Sequence, residues 1–179
     1  MNIAIIPARK NSQRIKNKNI KIFFGKPVIY YSIKEAIRSK LFDKIVVTTD
    51  SDKIKKFVLK NGADIVIDRK KDLSRNQVGI VKVIKNSIRY LENLKLKINY
   101  VCCIFPASPL IKYNNIRKGY KKIVSKKYDF VFVAKKINYK NQKLFFLKND
   151  KIKKFEKFNI LNKTLATDAG QFYWGKKHS

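Results

Sequence analysis

The sequence opens on an apolar strand that runs without a break into a cationic loop, IAIIPARKNSQRIKNKN, residues 3–19. A short apolar run ending in a proline reads as a buried strand, and a buried strand delivers the chain to one edge of a sheet. The loop that follows holds Arg9, Ser12, Arg14, Lys16, Lys18 and Asn19. Backbone amides, a hydroxyl and several cations at a strand end form a receptor for a polyanion, phosphate above all.

The rest of the chain alternates between strand-like and helix-like periods. Val28, Ile29, Ile33, Ala36 and Ile37 recur at helical spacing, and 45–49 reads as a second strand. Asp50 is placed to cap a helix over 52–61 that Gly62 ends. A short strand at 64–67 precedes a polar loop, and Ile80, Val81, Ile84, Ile88 and Leu91 then mark a longer amphipathic helix. The most apolar strand, 100–105, is expected near the centre of the sheet; the loop 106–109 leads from it to a helix over about 114–125 and a strand at 129–134. This order predicts an α/β fold, a mostly parallel sheet with helices on both faces. Ligands in such folds bind beyond the carboxyl ends of the strands, where the basic loop, Asp50 and the 106–109 loop all fall. From 138 to 163 the chain is rich in Lys and irregular, with a hairpin expected around 144–152 and the look of an arm that packs on a partner subunit; 171–174 is placed to add a strand. With no repeat and no Gly/Ser/Pro-rich linker, residues 1–179 are read as one domain.

The formal charge of +31 invites a nucleic-acid reading. Its distribution argues against one, because only seven of the 43 basic residues are Arg and the lysines are spread evenly, without stripe or tail. No specific nucleic-acid partner is expected. Cys102 and Cys103 are adjacent inside an apolar run, and neighbouring Cα atoms lie about 3.8 Å apart, below the usual disulfide span, so both are expected as reduced core residues. With no apolar stretch near the length of a membrane span and no signal-peptide pattern, a cytoplasmic protein without membrane contact is expected.

Several chemistries are absent from the sequence. Ser108 has no histidine partner in the body of the chain, since the only histidine is His178, which argues against serine-hydrolase chemistry. No cluster of Cys and His suggests a metal site, and the Walker pattern is missing. Asp50 as a helix cap and Arg69 as a surface cation after a strand remain open beside any functional role.

IIPARKNSQRIKNKN resembles the N-terminal signature of the acylneuraminate cytidylyltransferases, with the spacing R-x-x-S-x(5)-K-N met by Arg9, Ser12, Lys18 and Asn19. The similarity continues through FFGKPVIYYSIKEAIRSKLFDKIVVTTDSDKI, where Gly25, Lys26, Pro27, Ser32, Phe42, Asp43, Thr49 and Asp50 fall at expected places. YVCCIFPASPL and DAGQFYWGK resemble the pseudaminic acid branch of the family; sialic acid members typically carry Gln where this chain has Phe105. The resemblance implies a Rossmann-like sheet of the nucleotide-diphospho-sugar transferase type with a small extension near 138–163. It implies transfer of a cytidylyl group from CTP to an acidic nine-carbon sugar, with Mg²⁺ as cofactor. It assigns catalysis to Arg9 and Lys18, nucleotide contacts to Ala8, Arg9, Asn11, Ser12, Lys18, Asn19 and Arg69, and sugar contacts to Asp168, Gln171 and Tyr173. A homodimer through 138–163 is also implied.

Three departures from the family pattern stand out. Family members carry near their end an Asp-x-Asp motif that ligates Mg²⁺, and this chain ends at Ser179 without that C-terminal motif, so no metal-binding residue is assigned and the chain reads as C-terminally truncated. Ile80 lies near a position where the family tends to have Ser or Thr, and Phe158, Asn159 and Ile160 replace an expected Arg-Ser-Gln run. Synthesis of CMP-sialic or CMP-legionaminic acid, and an inactive nucleotide-binding relative, are the alternatives.

Overall fold

A computed structural model describes residues 1–12, 15–74, 78–125, 127–136, 145–148, 151–154 and 166–177. Strand β1 (Asn2–Pro7) leads through a 3-10 turn (Lys18–Ile20) and a two-rung hairpin, β2 (Ile22–Phe23) and β3 (Lys26–Pro27), into α1 (Val28–Ser39). Next come β4 (Lys44–Thr49), α2 (Asp52–Lys60), β5 (Ile65–Asp68), a single turn α3 (Lys71–Ser74) and α4 (Ile80–Asn93). The remaining elements are β6 (Tyr100–Ile104), α5 (Tyr113–Val124), β7 (Phe130–Lys136), β8 (Phe145–Lys148), β9 (Lys151–Lys154) and β10 (Ala166–Lys176).

Six strands form one sheet in the order β5-β4-β1-β6-β10-β7. β1 pairs in parallel with β4 on one side and β6 on the other, β4 pairs in parallel with β5, and β10 runs antiparallel to β6. Alternation along the buried strands divides the core into two layers. Ala4, Ile6, Ile45, Val47, Cys102 and Ile104 meet α1, α2 and α5 on one face, while Ile3, Ile5, Val46 and Val101 meet α4 on the other. Helices therefore cover both faces, as the sequence pattern predicts.

Two capping details depart from the sequence reading or add to it. Ser51, not Asp50, caps α2: its hydroxyl accepts from the Ile54 amide at 3.4 Å. Asp50 is instead drawn across to the loop after β1, where a carboxylate oxygen accepts from the Lys10 amide at 2.6 Å. The first turn of α5 carries no acid of its own, and buried Glu35 from α1 accepts the Tyr113 amide at 2.7 Å while also pairing with Arg38. The expected strand at 171–174 is longer than the sequence suggests and inserts between β6 and β7. Its apolar side chains Phe172 and Trp174 are buried, and the Trp174 indole donates to the Ile116 carbonyl at 3.1 Å.

The chain divides into two compact units, Met1–Val133 with Gly170–Ser179, and Ala134–Ala169. Within the second unit, β8 and β9 form the antiparallel hairpin anticipated near 144–152. The rest of the expected arm, with Phe158, Asn159 and Ile160, lies outside the described residues, as do Arg14 and His178. Among the described residues no helix is long and apolar enough to cross a membrane.

Two predictions test this packing. A Cβ on Gly119 would lie 2.8 Å from Trp174 Cδ1 and 2.9 Å from Phe172 Cε2, so α5 sits on β10 at a distance only glycine permits. Gly119→Ala should cost about 1–3 kcal/mol by overpacking, read from urea unfolding; an unchanged midpoint would contradict the contact. Both thiols are free and buried, and burial pushes Cys103 from the ordinary 9.0 up to about 12 and raises Cys102 well above that ordinary value. Above pH 9 the unfolded thiols ionise while the folded ones keep their protons, so stability falls as pH rises toward 12. The slope is about 1.4 kcal/mol per pH unit per thiol, and unfolding of the Cys102→Ala/Cys103→Ala variant should lack that component.

Candidate functional site

The strand order places a topological switch between β1 and β6: the chain leaves β1 toward β4 on one side and returns to β6 on the other. Loops at the carboxyl ends of such strands diverge and leave a crevice. A cleft of about 210 Å³ occupies this place, walled by Pro7 and Arg9 from the β1 end and by Phe105 and Pro106 from the β6 end.

The loop after β1 is held at three points. The Ala8 amide donates to the Thr48 carbonyl at 2.9 Å, the Lys10 amide to Asp50 at 2.6 Å, and the buried Asn19 side chain to the Arg9 carbonyl at 2.9 Å. The ten-residue excursion from Arg9 to Asn19 is closed by that last bond, and the 3-10 turn at Lys18–Ile20 brings Lys18 back to the same cleft as Arg9. The spacing seen in the sequence is thus the spacing of a closed loop. Arg69 arrives from the end of β5, its amide extending the sheet to the Thr49 carbonyl at 2.8 Å.

Arg9, Ser12, Lys18, Asn19 and Arg69 all line this one cleft. Ala8 is buried and Asn11 is exposed on the loop; neither contributes to the lining. Tyr173 stands beside the β6 wall, its ring 5.7 Å from that of Phe105 and stacked at 5.3 Å on Phe132. Gln171 is tied to the same wall through its carbonyl, which accepts the Phe105 amide at 3.0 Å. Asp168 is exposed and belongs to the other compact unit.

The electrostatics of the cleft are those of an anion site. Burial pulls the Arg69 pKa down, the Asp50 carboxylate draws it back up, and the Arg9 guanidinium lowers it again, so two guanidiniums and one carboxylate share a neighbourhood. Arg69 Nε and Asn19 Oδ1 are buried with no hydrogen-bond partner, which leaves one donor and one acceptor unspent in residues that line the cleft. A buried polar group left unpaired costs about 1–3 kcal/mol, a cost that a bound polar ligand would relieve.

The apolar side of the cleft is made by Ile80 together with Leu73, Val78 and Val83, and the last three were missed by sequence reasoning. Ile80, near which the family resemblance leads one to expect Ser or Thr, stands on this apolar side. Among the described residues no group of three His, Cys, Asp or Glu is placed to hold a metal ion. Among the described residues, then, no set of side chains is assembled to hold Mg²⁺ by itself.

An α/β fold with a cationic, half-apolar cleft at its switch point defines a nucleotide-binding transferase site. Residues 3–167 match the cytidylyltransferase family, and the chain belongs to that family. It is 34% identical over 180 residues to the pseudaminic acid cytidylyltransferase of Campylobacter jejuni, an alignment covering 97% of this chain and 78% of the relative. It is 30% identical over 115 residues to the CMP-N,N'-diacetyllegionaminic acid synthase of Legionella pneumophila, covering 64% of this chain and 50% of that one. The fold is also that of CMP:2-keto-3-deoxy-manno-octonic acid synthetase, solved in complex with CTP, with a TM-score of 0.73 at 14% identity over 99% of this chain and 74% of that one.

Asp50 offers a test of the loop's electrostatics. Asp50→Asn keeps an acceptor for the Lys10 amide and removes a negative charge beside the guanidiniums, so CTP should bind about two- to fivefold tighter at low salt. Asp50→Ala removes the acceptor too, and isothermal titration should show weaker binding than in the Asn variant. Equal affinities in the two variants would mean that the Lys10 bond does not hold the loop.

Proposed function

We propose that this chain catalyses transfer of a cytidylyl group from CTP to pseudaminic acid, giving the CMP-sugar and pyrophosphate. The observation that carries the reading is the 34% identity to a pseudaminic acid cytidylyltransferase along 97% of the chain. The cleft supports it by gathering Arg9, Ser12, Lys18, Asn19 and Arg69 in one place.

In this reading the anomeric hydroxyl of the sugar acid attacks the α-phosphorus of CTP, a new P–O bond forms, and the bond to the β-phosphate oxygen breaks. Such transfer depends on positioning and on neutralising charge at the leaving group. Arg9 and Lys18 hold the β- and γ-phosphates and stabilise the departing pyrophosphate, as fixed cations do for developing charge. Ser12 and the loop amides touch phosphate, while Asn19 and Arg69 meet the nucleoside. Asp168, Gln171 and Tyr173 serve the sugar side. The hydroxyl proton passes to solvent, with none of these side chains taking it. Mg²⁺ is part of the proposal as a companion of the triphosphate, taking most of its ligands from phosphate and water. A homodimer and a cytoplasmic location complete the reading; light scattering of the purified chain tests the first.

The test is pyrophosphate release by the chain with CTP and Mg²⁺, with pseudaminic, legionaminic and sialic acids supplied in parallel. Release with pseudaminic acid at the highest kcat/KM is expected, and preference for another of the three would replace the substrate assigned. Arg9→Ala and Lys18→Ala should each weaken CTP binding by about 1.5–3 kcal/mol, the range for charge-assisted contacts. Unchanged CTP affinity in both variants would sink the phosphate-loop assignment.

A further inference from the structure

The loop that leaves β6 is secured by two serine hydroxyls reaching backbone carbonyls far away in sequence. Ser32, fully buried on α1, donates to the Phe105 carbonyl at 2.8 Å. Ser108, itself buried, donates to the Gly170 carbonyl at 2.9 Å across 62 residues. The first bond fixes the wall that borders the cleft. The second reaches strand β10 just before Gln171.

Gly170 has φ +61, and no atom within 4 Å of where its Cβ would stand, so glycine is required there for backbone conformation and not for space. A left-handed residue inside a strand bends it. The regular pairing of β10 with β6 begins at Phe172, opposite Ile104. Upstream of that rung the two segments are joined by the Phe105 amide to the Gln171 carbonyl at 3.0 Å and by the Ser108 hydroxyl to Gly170. Gln171 Oε1 is buried without a hydrogen-bond partner, an acceptor kept in place by the segment that these two bonds hold.

We infer that Ser108 is a positioning residue for the sugar acid: its bond to Gly170 sets the bent start of β10 and with it the stand of Gln171, the residue assigned above to the sugar side. Ser108 touches neither substrate, and it acts only on where Gln171 stands. The nucleotide side is anchored separately, through Asn19, Asp50 and the sheet, so the effect falls on one substrate and not on both. This inference rests on the function proposed above.

Wild type, Ser108→Ala and Ser108→Thr are compared by steady-state turnover, by CTP titration and by amide hydrogen exchange. Ser108→Ala should raise the KM for pseudaminic acid about tenfold, the loss of one well-placed hydrogen bond, with the Kd for CTP unchanged. Exchange should quicken at residues 170–173 and stay as in wild type along β1 and β6. Ser108→Thr keeps the hydroxyl and should restore both readouts. Unchanged exchange at 170–173, quickening spread through the sheet, or local quickening without a KM change would each overturn the inference. Exchange needs no turnover: if wild type releases no pyrophosphate with pseudaminic acid, the proposed function falls, while exchange at 170–173 still decides for or against the tether.

Discussion

Everything at the site depends on β1 being hydrogen-bonded on both sides. Ile3 to Ile6 have no exposed surface, and the strand pairs in register with β4 along five positions and with β6 along four. A strand held this way cannot slip without turning its apolar side chains to the wrong layer, because a one-residue shift reverses the facing of every side chain. The residues that follow Pro7 therefore leave the sheet from a fixed point and in a fixed direction. The cationic loop has a defined place because its root does.

Bringing Arg9, Lys18 and Arg69 together against their mutual repulsion needs compensation, and the fold supplies it without blocking the cleft. Asp50 sits at the end of β4, next to β1, and its carboxylate serves both the Lys10 amide and the charge of Arg69. The chain's first acidic residue is Glu35, and its carboxylate is spent on Arg38 and the start of α5. The first 34 residues thus contribute cations and no acid of their own, and Asp50 is the carboxylate that shares the neighbourhood of Arg69 and Arg9.

The strands and helices of the parallel half were legible because each carries an uninterrupted apolar run or a clean helical period. The cationic loop of the cleft was legible for a different reason: a hydroxyl, an amide and several cations crowded after a buried strand have few structural uses. What escaped the sequence depends on contacts between distant residues. Asp50 reads locally as a helix cap, and only the adjacency of β4 and β1 reveals that it reaches across to Lys10 while Ser51 takes the cap. Leu73, Val78 and Val83 look like ordinary core positions, and nothing along the chain marks them as one wall of a cleft. The antiparallel placement of β10 was equally hidden, since alternation in DAGQFYWGK gives a strand but neither its direction nor its neighbours.

That placement bears on how the molecule assembles. β7 precedes β10 in the chain but reaches the sheet only through it, because β10 lies between β6 and β7. A growing polypeptide can complete β5, β4, β1 and β6 as a four-stranded parallel body while β7 is still without a seat. The sheet then widens from within its sequence order only when residues about 60 positions downstream of β6 arrive. Closing so long an intervening segment carries an entropic cost that grows slowly with length but must be met before the pairing is rewarded. The strand that carries Gln171 and Tyr173 is thus the last of the six to be synthesised, and it also brings Phe172 and Trp174 to the core shared by β1, β6 and α5.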